Sequence, residues 1–169
     1  RRECRLSDEE MSKKSIAQNF KTEVKRMKFT IDHDYHIHSH ISSCSSDPEQ
    51  TNARILQYAK ENGLSTVCLT DHYWDSAVPG ASNWYSSQNF EHISKAKPLP
   101  QDNEVKFLFG CEADIDEDLN LGIKKDEFDQ FDFVIISTTH LHMFPFVSIQ
   151  HSAENLLKRF NALINMDLP

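Results

Sequence analysis

His36 and His38, separated by Ile37, form the first place in the chain where residue type and spacing suggest chemistry. Side chains on a strand alternate with period two, so both imidazoles lie on one face and Ile37 points the other way, into a core. Two neutral imidazoles so placed can share one ion, and imidazole nitrogen suits zinc, iron or manganese. Nine histidines occur in the 169 residues, bunched at His33, His36, His38 and His40 and again at His140 and His142. His72 follows Asp71 directly, and Glu112 offers the negative charge that a set of neutral imidazoles lacks. A carboxylate can also bridge two ions. Taken singly, an HxH pair is a weak signal and a carboxylate at a strand end is more often a surface group. Asp71 is placed to hydrogen-bond a ligand histidine or to act in proton transfer.

The elements that must position these residues can be read from periodicity. Phe29 to Ser39 alternates apolar and polar residues and reads as a strand. Asp47-Pro48 reads as the start of a helix, with Ile55, Leu56 and Ala59 on its apolar face and Gly63 at its end. Leu64 to Thr70 is a second strand, Val105 to Gly110 a third that runs into Cys111-Glu112, and Phe131 to Ser137 a fourth. Tyr73 to Pro100 is a long loop rich in aromatics, Ser and Asn, of the length that tends to be functional. A final helix is expected from Ser152, with Leu156, Leu157, Phe160, Leu163 and Ile164 as its apolar residues. Ahead of all this, Ser7 and Glu10 form a capping-box pattern, and residues 1–28 read as an amphipathic helix distinct from the metal-binding part, 29–169.

Strands separated by helical or long connections predict a mainly parallel sheet in an α/β fold. In a parallel barrel the C-terminal strand ends form one rim that reaches a common site. His36 and His38 close the first strand, Asp71 and His72 the second, Glu112 the third and His140 the fourth. Four strands each delivering a ligand-type residue to one rim is the strongest statement the sequence makes.

Composition narrows the partners. The net charge is −8 and the pI about 5.5, so the counterion-release term that drives nucleic-acid binding is unfavourable and such a partner is not expected. No apolar run approaches the roughly 20 residues that span a bilayer, and a membrane partner is not expected either. Cys4, Cys44, Cys68 and Cys111 are scattered without a CxxC pair, which fits reduced thiols and a cytoplasmic location. Cys68 and Cys111 fall in strand-like runs and read as core residues.

The motifs together resemble those of the polymerase and histidinol phosphatase (PHP) superfamily. Asp34-Tyr35-His36-Ile37-His38-Ser39 is similar to its first motif and Leu69-Thr70-Asp71-His72 to its second. Gly110-Cys111-Glu112-Ala113 is similar to its third and Ile136-Ser137-Thr138-Thr139-His140 to its fourth. The resemblance covers about residues 30–145. It implies a distorted TIM-like (β/α)7 barrel, here its first four or so strands, with two or three divalent ions (Zn, Mn or Fe) at its C-terminal rim. Carried over, His36, His38, His72, Glu112 and His140 are the metal ligands, and Asp71 and Glu112 the catalytic residues. The implied activity is histidinol-phosphatase-like: a metal-bound hydroxide hydrolyses the phosphoester of a small phosphorylated substrate. A PHP-type nuclease, an amidohydrolase and an incomplete, non-catalytic metal-binding module are the alternatives.

Cys44 departs from the pattern, standing where the family often places a His or an Asp, and His142 competes with His140. The family's further ligands, a His after the next strand and an Asp-x-His, have no match here, and Asp167 lacks a partner His. The chain is therefore expected to be the front part of a longer barrel or a shortened member with an open sheet. Arg54, Lys60 and Arg159 are the nearby cations, each read as a surface helix residue.

Overall fold

The computed structural model describes residues 30–140, 143 and 145–169. The helix expected over residues 1–28, Cys4 and His142 lie outside the described residues.

Among the described residues, five parallel strands and three α-helices follow one another. They are β1 (His33–Ile37), α1 (Asn52–Glu61), β2 (Thr66–Leu69), β3 (His72–Tyr73), α2 (Phe90–Ile93), β4 (Lys106–Asp114), β5 (Phe133–Ser137) and α3 (Ile149–Ile164). Short 3-10 turns at Ser94–Ala96 and Lys125–Gln130 complete the connections. The sheet runs β1-β2-β4, with β3 and β5 also paired to β4, and curls into half a barrel. Thr66 lies opposite Lys106 and His72 opposite Glu112, the same offset, so β2 and β3 are one strand interrupted at Thr70 and Asp71. The four expected strands are thus present, in chain order and all parallel.

Local chemistry moves two helix starts. α1 begins after Thr51, whose hydroxyl accepts the Arg54 N–H, while Asp47 instead caps a tight turn by accepting from the Glu49 N–H. α3 starts three residues earlier than expected, because Ser148 supplies a cap that accepts from the His151 N–H. Gly63 ends α1 with φ +69, the left-handed conformation that favours glycine there.

β4 is longer than periodicity suggested, running on to Asp114, because its second half is held on both sides by β3 and β5. Period two sends Phe109, Cys111 and Ala113 outward into a core with Tyr73, Ile93 and Ile123. Gly110, Glu112 and Asp114 occupy the alternate positions, towards the barrel interior. A Cβ on Gly110 would stand 2.4 Å from the Phe133 carbonyl and 2.8 Å from Cys68 Sγ, so only glycine lets β4 approach β5 this closely. A second core joins α1 to the sheet through Ile55, Ala59, Val67, Leu69 and Val105. Burying a side chain such as Ile55 contributes about 1.5–3 kcal/mol. Cys68 and Cys111 are buried free thiols, and burial pushes the Cys68 thiol up to about 12.

Candidate metal centre

β1 brings two imidazoles to the rim through a bulge. Asp34 pairs with Val67 but Ile37 with Leu69, so the register slips between them, and Asp34 Oδ1 accepts the His36 N–H within the slipped segment at 3.0 Å. Past the strand, Asp71 accepts both the Ser39 N–H (2.6 Å) and the Ser39 hydroxyl (2.7 Å). The Gln50 side chain donates to the His38 carbonyl. These bonds hold the chain on both sides of His38, while Ser42 Oγ lies 3.3 Å from its Nδ1.

Glu112 is at the centre. It is 3% exposed, and its Oε2 lies 3.3 Å from His36 Nε2, 3.2 Å from His38 Nε2 and 3.2 Å from His72 Nδ1. His36 Nε2 and His38 Nε2 are 3.1 Å apart. Its other oxygen, Oε1, faces His140 Nε2 at 3.9 Å. Burial opposes ionisation of this carboxyl, but His38, His72 and His36 together outweigh it and draw the pKa down to about 2. The carboxylate is therefore charged at any physiological pH.

The separations among His36, His38, His72 and Glu112 are compatible with shared metal ligation. Two ligand atoms each 2.0–2.1 Å from a tetrahedral zinc stand roughly 3.3 Å apart. His36, His38 and Glu112 make one such triad, and His72, Glu112 and His140 another, each with its ligand atoms within 4.8 Å of one another. Glu112 belongs to both triads. The residues present fit divalent ions held by imidazole and carboxylate. A third group joins His38, Cys44 and His72, so the thiol that departs from the motif pattern faces the same rim.

His140 comes from beyond β5, and its Nδ1 meets Asp114 Oδ2 at 2.7 Å. This hydrogen bond raises its pKa against the effect of burial. The Tyr85 hydroxyl lies 3.1 Å from His72 Nδ1 and 3.3 Å from His140 Nδ1. Burial and the nearby charges of Asp114 and Glu112 push the phenol far above its ordinary range, so it stays protonated. Trp84 stands edge-on to His72 with ring centroids 4.5 Å apart, whereas Trp74 packs with Tyr85 and Met143 in a small core. The long loop thus serves both ends: part of it packs and part borders the site.

The structure brings His36, His38, His72, Glu112 and His140 into one small volume. Asp71 sits at the rim, but both its oxygens are engaged by Ser39, and burial raises its pKa despite those bonds. Arg159 corrects the sequence reading: it is fully buried, not a surface residue, with Nη1 3.4 Å from Asp114 Oδ1. Lys60 is held by Asp102 at 2.5 Å. Arg54 is exposed and borders a cavity of about 450 Å³ that His36 and His38 also line.

Asp114 and Tyr85 are what sequence reasoning missed, and Arg159 was named but placed on the surface. Asp114 was within reach, since Glu112-Ala113-Asp114 on a strand puts both carboxylates on one face. Nothing in the sequence marks Tyr85 or the burial of Arg159.

Among the described residues no helix is long and apolar enough to cross a membrane. The family model described as PHP domain matches residues 34–168, and no curated protein matches the chain.

Proposed function

The chain belongs to the PHP domain family, found in metal-dependent hydrolases, and on that premise we propose that it hydrolyses a small phosphomonoester, in the manner of a histidinol phosphatase, at the centre built around Glu112. The observation that carries this reading is the membership of Glu112 in two ligand triads at once. Divalent metal held there would supply Lewis acidity to phosphoryl oxygens and lower the pKa of bound water.

The chain's own residues do the rest. His36 and His38 would hold metal on one side and His72 and His140 on the other, while the ionised Glu112 would offset its charge. Asp71, expected in proton transfer, has contacts that support holding Ser39 and the turn after His38. Tyr85 keeps its proton and orients the two imidazoles it touches. A cavity of about 450 Å³ beside His36 and His38 suits a small organic phosphate, and the overall charge of −8 disfavours a nucleic-acid substrate.

The test is hydrolysis of p-nitrophenyl phosphate, a phosphodiester and an N-acetyl amide by protein loaded with zinc, manganese or iron. Metal-dependent release from the phosphomonoester, abolished by Glu112→Gln, is expected. Turnover of the amide but not of either phosphoester overturns the reading. A non-catalytic metal-binding module is the rival, favoured by the half-exposed His36 side chain (52%), which leaves one triad open to solvent. Tightly bound metal with no turnover of any substrate selects it.

A further inference from the structure

We propose that Asp114 is a positioning residue, anchored from α3 by Arg159, which fixes the ring of His140 with its proton on Nδ1 and so presents the Nε2 lone pair to the metal centre. The inference rests on the reading of His140 as a ligand, not on the identity of the substrate.

An ionised carboxylate only accepts hydrogen bonds, so a neutral imidazole 2.7 Å away must place its single proton on the facing nitrogen. That nitrogen is Nδ1. Nε2 is then the unprotonated atom, and it is the one turned towards Glu112 Oε1. In the opposite tautomer the proton sits on Nε2, and that atom, the one facing Glu112, can then bind no cation. Asp114 thus decides whether His140 is competent. The Tyr85 hydroxyl near the same nitrogen is farther away, at 3.3 Å.

Asp114 is itself held. Its Oδ1 accepts from the Ile115 N–H at 2.7 Å and faces Arg159 Nη1 at 3.4 Å, and neither Asp114 nor Arg159 has any solvent exposure. Arg159 also donates to the carbonyls of Ile115 (2.6 Å), Thr138 and His140 (3.4 Å). Ile115 follows β4, which carries Glu112, and Thr138 follows β5, which leads to His140. One guanidinium therefore ties together the two strand ends that deliver these ligands. A buried ion pair is weak evidence for stability, because desolvation of both charges offsets their attraction. Its placement behind a ligand histidine is what a positioning role requires, and such partners orient metal-ligating imidazoles.

The experiment uses the whole chain, labelled with 15N-histidine, at an alkaline pH where the imidazoles are neutral, together with zinc affinity measured by chelator competition. In the wild type the His140 spectrum should report the proton on Nδ1; a proton on Nε2 overturns the proposal without recourse to any variant. Asp114→Ala should move His140 towards the Nε2-protonated form and weaken zinc binding by about 10- to 100-fold. Asp114→Asn has one acceptor oxygen, which the Ile115 N–H and Arg159 claim, so its NH2 faces His140 Nδ1 and should likewise favour the Nε2-protonated form and weaken zinc binding while keeping the buried packing. If the folded Ala variant keeps both the tautomer and the zinc affinity, Asp114 is structural only. If the Ala variant does not fold, the Asn variant and the wild-type tautomer decide. Neither readout involves turnover, so a failure to hydrolyse phosphoesters leaves this inference standing, and a wrong tautomer leaves the phosphoesterase reading standing.

Discussion

Exchanging Glu112 for Gln keeps the length and shape of the side chain and removes its charge. Burial pushes the carboxyl up, yet His38, His72 and His36 draw it from 4.5 to about 2. At about 1.4 kcal/mol per pH unit, that depression corresponds to about 3 kcal/mol of attraction between the carboxylate and positive charge on its neighbours. A divalent ion among the same atoms carries more charge than an imidazolium. The expected loss of metal affinity in Glu112→Gln is therefore at least of that order, roughly 100-fold or more. Among the described residues, two of the three candidate ligand groups contain Glu112, and the group of His38, Cys44 and His72 does not. Metal content by elemental analysis after dialysis, with zinc affinity by chelator competition, should show at least one ion lost. The metal-free proteins give a second measure. A depressed carboxyl contributes stability that is present above its unfolded pKa and lost as pH falls from 4.5 through about 2. The Gln variant should lack that acid-dependent component in urea titrations. Equal metal content and affinity in a correctly folded Gln variant would refute the bridging role and, with it, the site.

Other perturbations probe the surroundings. Cys44→Ser removes the one soft donor from the group with His38 and His72, so zinc or cadmium affinity should fall more than manganese affinity; an equal change across the metals argues that the thiol is not a ligand. Trp84→Ala, which strips the ring standing edge-on to His72, should raise KM more than it lowers the melting temperature. An unaltered KM with a large fall in melting temperature assigns Trp84 to packing alone. Gly110→Ala sets a methyl against the Phe133 carbonyl and Cys68 Sγ and should cost about 1–3 kcal/mol, read from the urea midpoint; an unmoved midpoint sinks the close-approach argument.

The polarity of the sheet was legible because it follows from local facts. Period-two alternation placed His36 and His38 together, and the connections between strands required parallel pairing. Parallel pairing in turn puts every C-terminal strand end on one rim, so His72, Glu112 and His140 could be grouped without a structure. The bulge in β1 was not legible, since the slip between Asp34 and Ile37 exists only relative to β2. Nor was the extension of β4 to Asp114, which depends on β3 and β5 holding both its edges.

The sequence by itself thus determined which residue types lie at the rim and in what order, because strand periodicity and strand direction are properties of the local chain. Only the tertiary structure decided what each rim residue touches. Asp71 turns to Ser39 from 32 positions away, and Tyr85 reaches His72 and His140 out of an aperiodic loop. Arg159, on a helix whose pattern suggested a solvated face, is drawn inward by the Asp114 carboxylate and three carbonyls. A polar side chain at a strand end or on a helix is directed by hydrogen-bond partners far along the chain, and a periodic pattern carries no record of them.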